Sequence, residues 1–139
     1  MHWATKYIGL PYEAGARGPQ RVDCWGLLRL AYKENFQLDL PLYPGVSLNE
    51  PVHASSVIKK ALAEEWLPVE EPFDGALVAM SQREAIHHIG LYVTVETGRV
   101  VHCWNSQCVV ADSLRGLRLR GMRTIKFYKH SQWPLLPTS

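Results

Sequence analysis

The feature that most restricts this chain's fold is a change of period near its middle. Ahead of Pro68 and Pro72, apolar residues recur at helical spacing. Leu27, Leu30, Ala31 and Tyr32 predict a helix over about 24–35, and Val57, Ile58, Ala61 and Leu62 predict another over about 53–65. From Asp74 onward the chain is a series of short β-branched and aromatic runs: ALVAM (76–80), IHHIGLYVTV (86–95), RVVHCW (99–104), CVVAD (108–112) and MRTIKFYK (122–129). Glu96-Thr97-Gly98 and Asn105-Ser106-Gln107 have hairpin-turn chemistry between them. Helices first and consecutive strands afterwards imply an α+β domain, with helices packed on a small antiparallel sheet. Residues 2–8 suit a short helix closed by Gly9 and Pro11. The glycines and prolines of 12–22 and 38–51 make those stretches loops, and 133–139 reads as a frayed tail.

A chain of 139 residues is expected to form one domain, 1–139, large enough to bury a core without disulfides or a structural metal. With 47% hydrophobic and 20% charged residues it is globular in composition, and a net charge of +2 gives no argument for nucleic acid. Three cysteines form no disulfide framework and suit a reducing compartment. No apolar run reaches the roughly 20 residues of a membrane span. The first fifteen residues, MHWATKYIGLPYEAG, lack the pattern of a secretory signal, so synthesis in a cytoplasm is expected. Arg115, Arg118, Arg120, Arg123, Lys126 and Lys129 read as the solvated face of edge strands, with no aromatic stacking pattern beside them.

Within RVDCWGLLRLAY (21–32), Cys24 falls where the first long helix begins. Asp23 is suited to cap that helix, because a carboxylate accepts from the orphan amides of the first turn. A thiol at a helix start faces unpaired amides and the positive end of the dipole, which can lower its pKa to roughly 3.5–7.5. Asp23 opposes this unless the amides absorb its charge. A cysteine nucleophile also needs a base, and the base needs an orienting partner. Alternation places His88, Gly90, Tyr92 and Thr94 on one face of the 86–95 strand, and His87, Ile89, Leu91, Val93 and Val95 on the other. Gly90 leaves space for close approach. His102, one hairpin later, stands beside the expected position of His88. Asn105 and Asp112 are the other candidate orienters, but the first lies in a turn and the second at a strand end.

Taken in order, GLPYEAG (9–15), DCWGLLRLAY (23–32), DGALVAM (74–80), HIGLYV (88–93) and VVHCW (100–104) resemble the NlpC-type cysteine peptidases, a papain-like superfamily. The resemblance runs from about residue 3 to 128. It implies that Cys24 of the Asp-Cys-x-Gly-Leu motif attacks and that His88, which opens His-x-Gly-x-Tyr, is the base rather than His87. It further implies that His102 orients the base and that Tyr12 of Leu-Pro-Tyr borders the site and assists the oxyanion. Trp25 stands where the family usually has a small residue and is expected to line the substrate site. The substrate implied is a peptide of the bacterial cell wall, commonly cut beside D-glutamate and diaminopimelate. DCWGL and the following LPLYPG (40–45) resemble the branch found in bacteriophage tail gene clusters, which implies other tail proteins as partners and the virion tail as location.

Other readings are set against this one. His87, His88, His102, Cys103 and Cys108 could crowd one end of the sheet, but neither CxxC nor HExxH occurs, and no metal or other cofactor is expected. A non-catalytic assembly protein on the same fold, or an amidase or acyltransferase using the same pair, would keep the fold and change the role. Cys103 and Cys108, flanking the 104–107 turn, are expected to be reduced thiols.

Overall fold

Asp23 determines where the central helix begins. In the computed structural model, which describes residues 2–41, 51–82, 86, 88–103 and 107–134 (51–55 by backbone only), its Oδ1 accepts from the Gly26 amide at 2.7 Å. Helix α1, Cys24–Phe36, follows directly and ends where Gln37 turns left-handed. A 3-10 turn, Trp3–Tyr7, precedes it, and α2, Pro51–Glu65, comes after the 42–50 segment. The helices expected over 2–8, 24–35 and 53–65 are therefore present.

Six strands make one antiparallel sheet: β1 (Trp66–Val69), β2 (Leu77–Ser81), β3 (His88–Val93), β4 (Arg99–Cys103), β5 (Val109–Asp112) and β6 (Thr124–His130), in the order β1-β6-β2-β3-β4-β5. Strands β2 to β5 form a meander, and β6 returns to the far side of β2. A third helix, α3, Leu114–Leu119, links β5 to β6. The domain is α+β, as the change of period implies.

Helix α1 lies across β3 and β4. Leu27, Leu28, Ala31, Tyr32 and Phe36 pack with Ile89, Leu91, Val93 and Val101 into the larger core. Each large side chain buried there contributes about 1.5–3 kcal/mol. On the other face, Val78, Met80, Tyr92 and Val100 close over Leu117 of α3 and Met122. Strand β3 is thus buried on both faces along its whole length. Its two-residue alternation sorts side chains between two cores rather than between core and water.

Four differences from the sequence reading have local causes. Strand β1 tolerates Pro68 because, among the described residues, it is an edge strand paired with β6 alone, where a missing amide costs least. Residues 114–119 are helical, with the Ser113 hydroxyl accepting from the Gly116 amide. Strand β6 lies between β1 and β2, so the basic stretch belongs to a helix and an interior strand, not to edge strands. Trp133 packs on Phe36 and Phe73, so the expected fraying does not include it. The rest of that expectation, 135–139, lies outside the described residues, as do His87, the 104–106 turn and the 42–50 loop.

Candidate active site

The 9–22 segment crosses the mouth of α1 and is tied down at both ends. Gly9 donates to Val109 O at 2.9 Å, Val109 donates back to Leu10 O at 2.8 Å, and Tyr12 donates to Gln107 O at 3.0 Å, so it follows the outer edge of β5. On the helix side, the second oxygen of Asp23 accepts from the Gly15 amide at 3.0 Å and from Arg17 Nη1 at 2.8 Å. Two amides and a guanidinium therefore surround the buried Asp23 carboxylate. Gly26 is required by this closure, because a Cβ there would stand 2.1 Å from the Ala16 carbonyl oxygen. The glycine of Asp-Cys-x-Gly-Leu is a packing requirement of the loop that frames the cysteine.

Cys24 is 2% exposed. Burial and the Asp23 carboxylate push its thiol up to about 12, against a pull from the backbone amides of Ile89 and Trp25. The thiolate expected from the helix start alone is therefore not the resting form: desolvation outweighs the amides. The contact with the Ile89 amide also locates the sulfur, since Ile89 follows His88 on β3.

His88 and His102 are both buried, and His88 Nε2 lies 2.9 Å from His102 Nδ1. Gly90 makes this possible. A Cβ there would meet Val100 Cγ1 at 2.8 Å and His102 Cβ at 3.0 Å, so β4 occupies the space the glycine leaves. The other nitrogen of His102, Nε2, is 2.7 Å from Asp112 Oδ2, and Arg120 Nε is 3.1 Å from that same oxygen. Burial holds the His102 pKa below the usual imidazole value, against an upward pull from Asp112.

Cys24 thus stands at the start of α1 with its sulfur against the Ile89 amide, one residue along β3 from His88, and His88 pairs with His102 across β3 and β4. Tyr12 belongs to the same neighbourhood. Its hydroxyl is buried with no hydrogen-bond partner among the described residues, and its pKa is raised by burial and then by Asp23, Cys24 and Cys103. Trp25, like Cys24, is buried, and its indole donates to Pro41 O at 2.9 Å, which ties the start of α1 to the segment after it. Asp112 was visible in the sequence only as an alternative to His102, yet it lies behind it. The signal was the two-residue step from Val110, which pairs with His102, to Asp112 on the same face. Arg120 gave no sequence signal, because it depends on the turn of α3.

Cys103 is buried with Sγ 3.5 Å from Val22 O, and Cys108 is partly exposed; both are free thiols. Among the described residues no group of three or more His, Cys, Asp or Glu is placed to hold a metal ion. No helix of the described residues is long and apolar enough to cross a membrane.

A thiol at a helix mouth, against the amide that follows one of two paired imidazoles, is a layout suited to nucleophilic chemistry at a carbonyl. The sequence matches the description "NlpC/P60 family" over residues 9–124, and the chain belongs to that family. Solved structures share the fold. The NlpC/p60 domain of the peptidoglycan hydrolase SagA superposes with a TM-score of 0.58 at 19% identity, covering 89% of this chain and 91% of that one. NlpC1 of Trichomonas vaginalis gives 0.57 at 17% identity, covering 98% of this chain and 42% of its own. A Staphylococcus aureus protein described as similar to a lipoprotein of the NLP/P60 family gives 0.56 at 20% identity, covering 88% and 38%. The chain thus spans less than half the length of the latter two. No curated protein matches the sequence.

Proposed function

We propose that the protein is a cysteine peptidase that hydrolyses amide bonds in bacterial cell-wall peptides. Cys24 is the nucleophile, His88 the general base and acid, and His102 the residue that orients His88. The reading is carried by one observation, the 2.9 Å contact between two buried imidazoles, the first of which precedes the amide that touches the Cys24 sulfur. Family membership and the likeness to the NlpC/p60 domain of SagA, a peptidoglycan hydrolase, support the substrate class.

The chemistry follows from the site. Because burial favours the neutral thiol, Cys24 is activated by proton transfer to the His88 ring as the sulfur attacks, rather than being stored as an ion pair. The nitrogen of His88 that faces away from His102 is Nδ1, the one suited to take that proton. The carbonyl oxygen becomes an oxyanion, for which the Tyr12 hydroxyl is a buried donor in the same neighbourhood. His88 returns its proton to the leaving amine, and water then releases the acyl group from sulfur through the same base. Digestion of purified peptidoglycan, with products identified by mass, tests this reading.

The finer reading is that the protein acts in a bacteriophage tail, with other tail proteins as partners. It rests on the sequence around Trp25 and on LPLYPG. Co-purification with virions supports it, and a protein never found with tail components contradicts it. A non-catalytic role on the same fold is favoured by the near-complete burial of Cys24, and wall digestion that depends on Cys24 rules it out. An amidase or acyltransferase would use the same residues. Transfer of the acyl group to an added amine in preference to water distinguishes the transferase.

A further inference from the structure

We propose that Asp112, held by Arg120, is a positioning residue that sets which nitrogen of His88 carries a proton, acting through His102. The inference rests on the reading of His88 as the base of Cys24. It adds a residue pair that lies beyond the three side chains of that reading.

The argument is a count of donors and acceptors. Asp112 Oδ2 receives two neighbours, His102 Nε2 at 2.7 Å and Arg120 Nε at 3.1 Å. A carboxylate can only accept and a guanidinium can only donate, so His102 must present Nε2–H to this oxygen. His102 is buried and its pKa is lowered, so its ring is neutral and carries one proton. With that proton on Nε2, His102 Nδ1 is a lone pair. The nitrogen 2.9 Å away, His88 Nε2, must then be the N–H of its own ring. Neutral His88 is left with its lone pair on Nδ1, ready to accept a proton. Reverse the pattern, and both rings carry their proton on Nδ1; His88 can then no longer act as a base toward Cys24. The two patterns contain the same number of protons and differ only in their placement.

Arg120 has a separate task. It caps the C-terminal end of α3, while Asp112 immediately precedes the Ser113 cap at the other end. The short helix thus folds Arg120 back onto the end of β5. Its N–H tolerates only an oxygen at the Oδ2 position. An asparagine at 112 would therefore be held with its oxygen toward His102 while Arg120 is present, and would be able to turn its NH2 inward once Arg120 is gone.

The test uses the full chain with 15N-labelled histidine, reading the ring tautomers of His88 and His102 by two-bond 1H–15N correlation and hydrolysis of wall peptides in parallel. In the wild type both rings are expected to carry the proton on Nε2. Asp112→Asn should keep that pattern and stay within about tenfold of wild-type activity, and Arg120→Ala should lower activity by only a few-fold. Asp112→Asn combined with Arg120→Ala should shift the proton of His102 to Nδ1. It should also cost about 10²–10⁴-fold in hydrolysis, the range that general-base catalysis contributes. A purely structural ion pair would instead make the two losses multiply without changing a tautomer. A wild-type ring protonated on Nδ1, or a double variant with unchanged tautomers, overturns the inference. Absence of hydrolysis in a wild type with the expected tautomers overturns the peptidase reading instead.

Discussion

Gly26→Ala is expected to damage the site from outside the set of reacting groups. The new Cβ would lie 2.1 Å from the Ala16 carbonyl oxygen and 2.9 Å from Asp23 Oδ1, whereas ordinary contact begins at 3.4 Å. The Ala16 carbonyl accepts from the Asp23 amide at 3.0 Å, so moving it disturbs the loop and the helix cap together. Alanine gains about 1 kcal/mol of helix propensity. Against this, steric overlap in a packed region costs about 1–3 kcal/mol. Weakened hydrogen bonds to the buried Asp23 carboxylate add about 1.5–3 kcal/mol. The net loss is about 1.5–5 kcal/mol, and for a domain of this length the melting temperature should fall by roughly 5–17 °C. The control is Gly9→Ala, where no atom lies within 4 Å of the new Cβ and only the positive φ of +94° is strained. That strain costs about 1–2 kcal/mol. Thermal unfolding followed by circular dichroism measures both variants. A Gly26→Ala protein as stable as the wild type would refute the claim that the loop is clamped across the helix mouth.

The remaining predictions concern the thiols and imidazoles. Cys24 and Cys103 are each raised from 9.0 to about 12 by burial, so the folded state holds their protons after the unfolded chain has released them. Stability should therefore fall as pH rises from 9.0 toward about 12, and Cys24→Ala should show a shallower fall in chemical denaturation across that window. At neutral pH the partly exposed Cys108 should be alkylated by iodoacetamide before Cys24 or Cys103, reversing the order that a helix-start thiolate would give; peptide mapping that finds Cys24 labelled first contradicts the burial argument. His88→Ala should abolish hydrolysis, while His102→Gln or His102→Asn should retain more activity than His102→Ala, since an amide oxygen can still accept from the base. Equal activity of His102→Ala and wild type would remove His102 from the site.

Most of the sheet was legible because its strands are dense in Val, Ile and aromatic residues and are separated by turns. Strand β1 was not, because Pro68 argues against a strand unless the edge position is known. Helix α3 was hidden by its length and by Gly116 near its middle. Its covering role explains why β3 is buried on both faces. For the site, the Asp23 cap announced the start of α1, and Gly90 marked where β4 comes close. The packing of Trp25 was not legible, because a sequence does not show that the second position of α1 turns inward to Pro41. The acidity of Cys24 was misjudged for a related reason: a sequence shows the helix start but not the depth of burial. Asp112 and Arg120 required the turn of α3 to be known before either could be connected to His102.

The central claim is that the Cys24 sulfur performs the attack. Its most direct test is digestion of purified peptidoglycan by the wild type and by Cys24→Ala, with the variant's fold checked by its circular dichroism spectrum and the released fragments identified by mass. The account predicts cleaved stem peptides from the wild type and none from the variant, since the change removes one sulfur and leaves the Asp23 cap in place. Equal release of the same fragments by both proteins would contradict it.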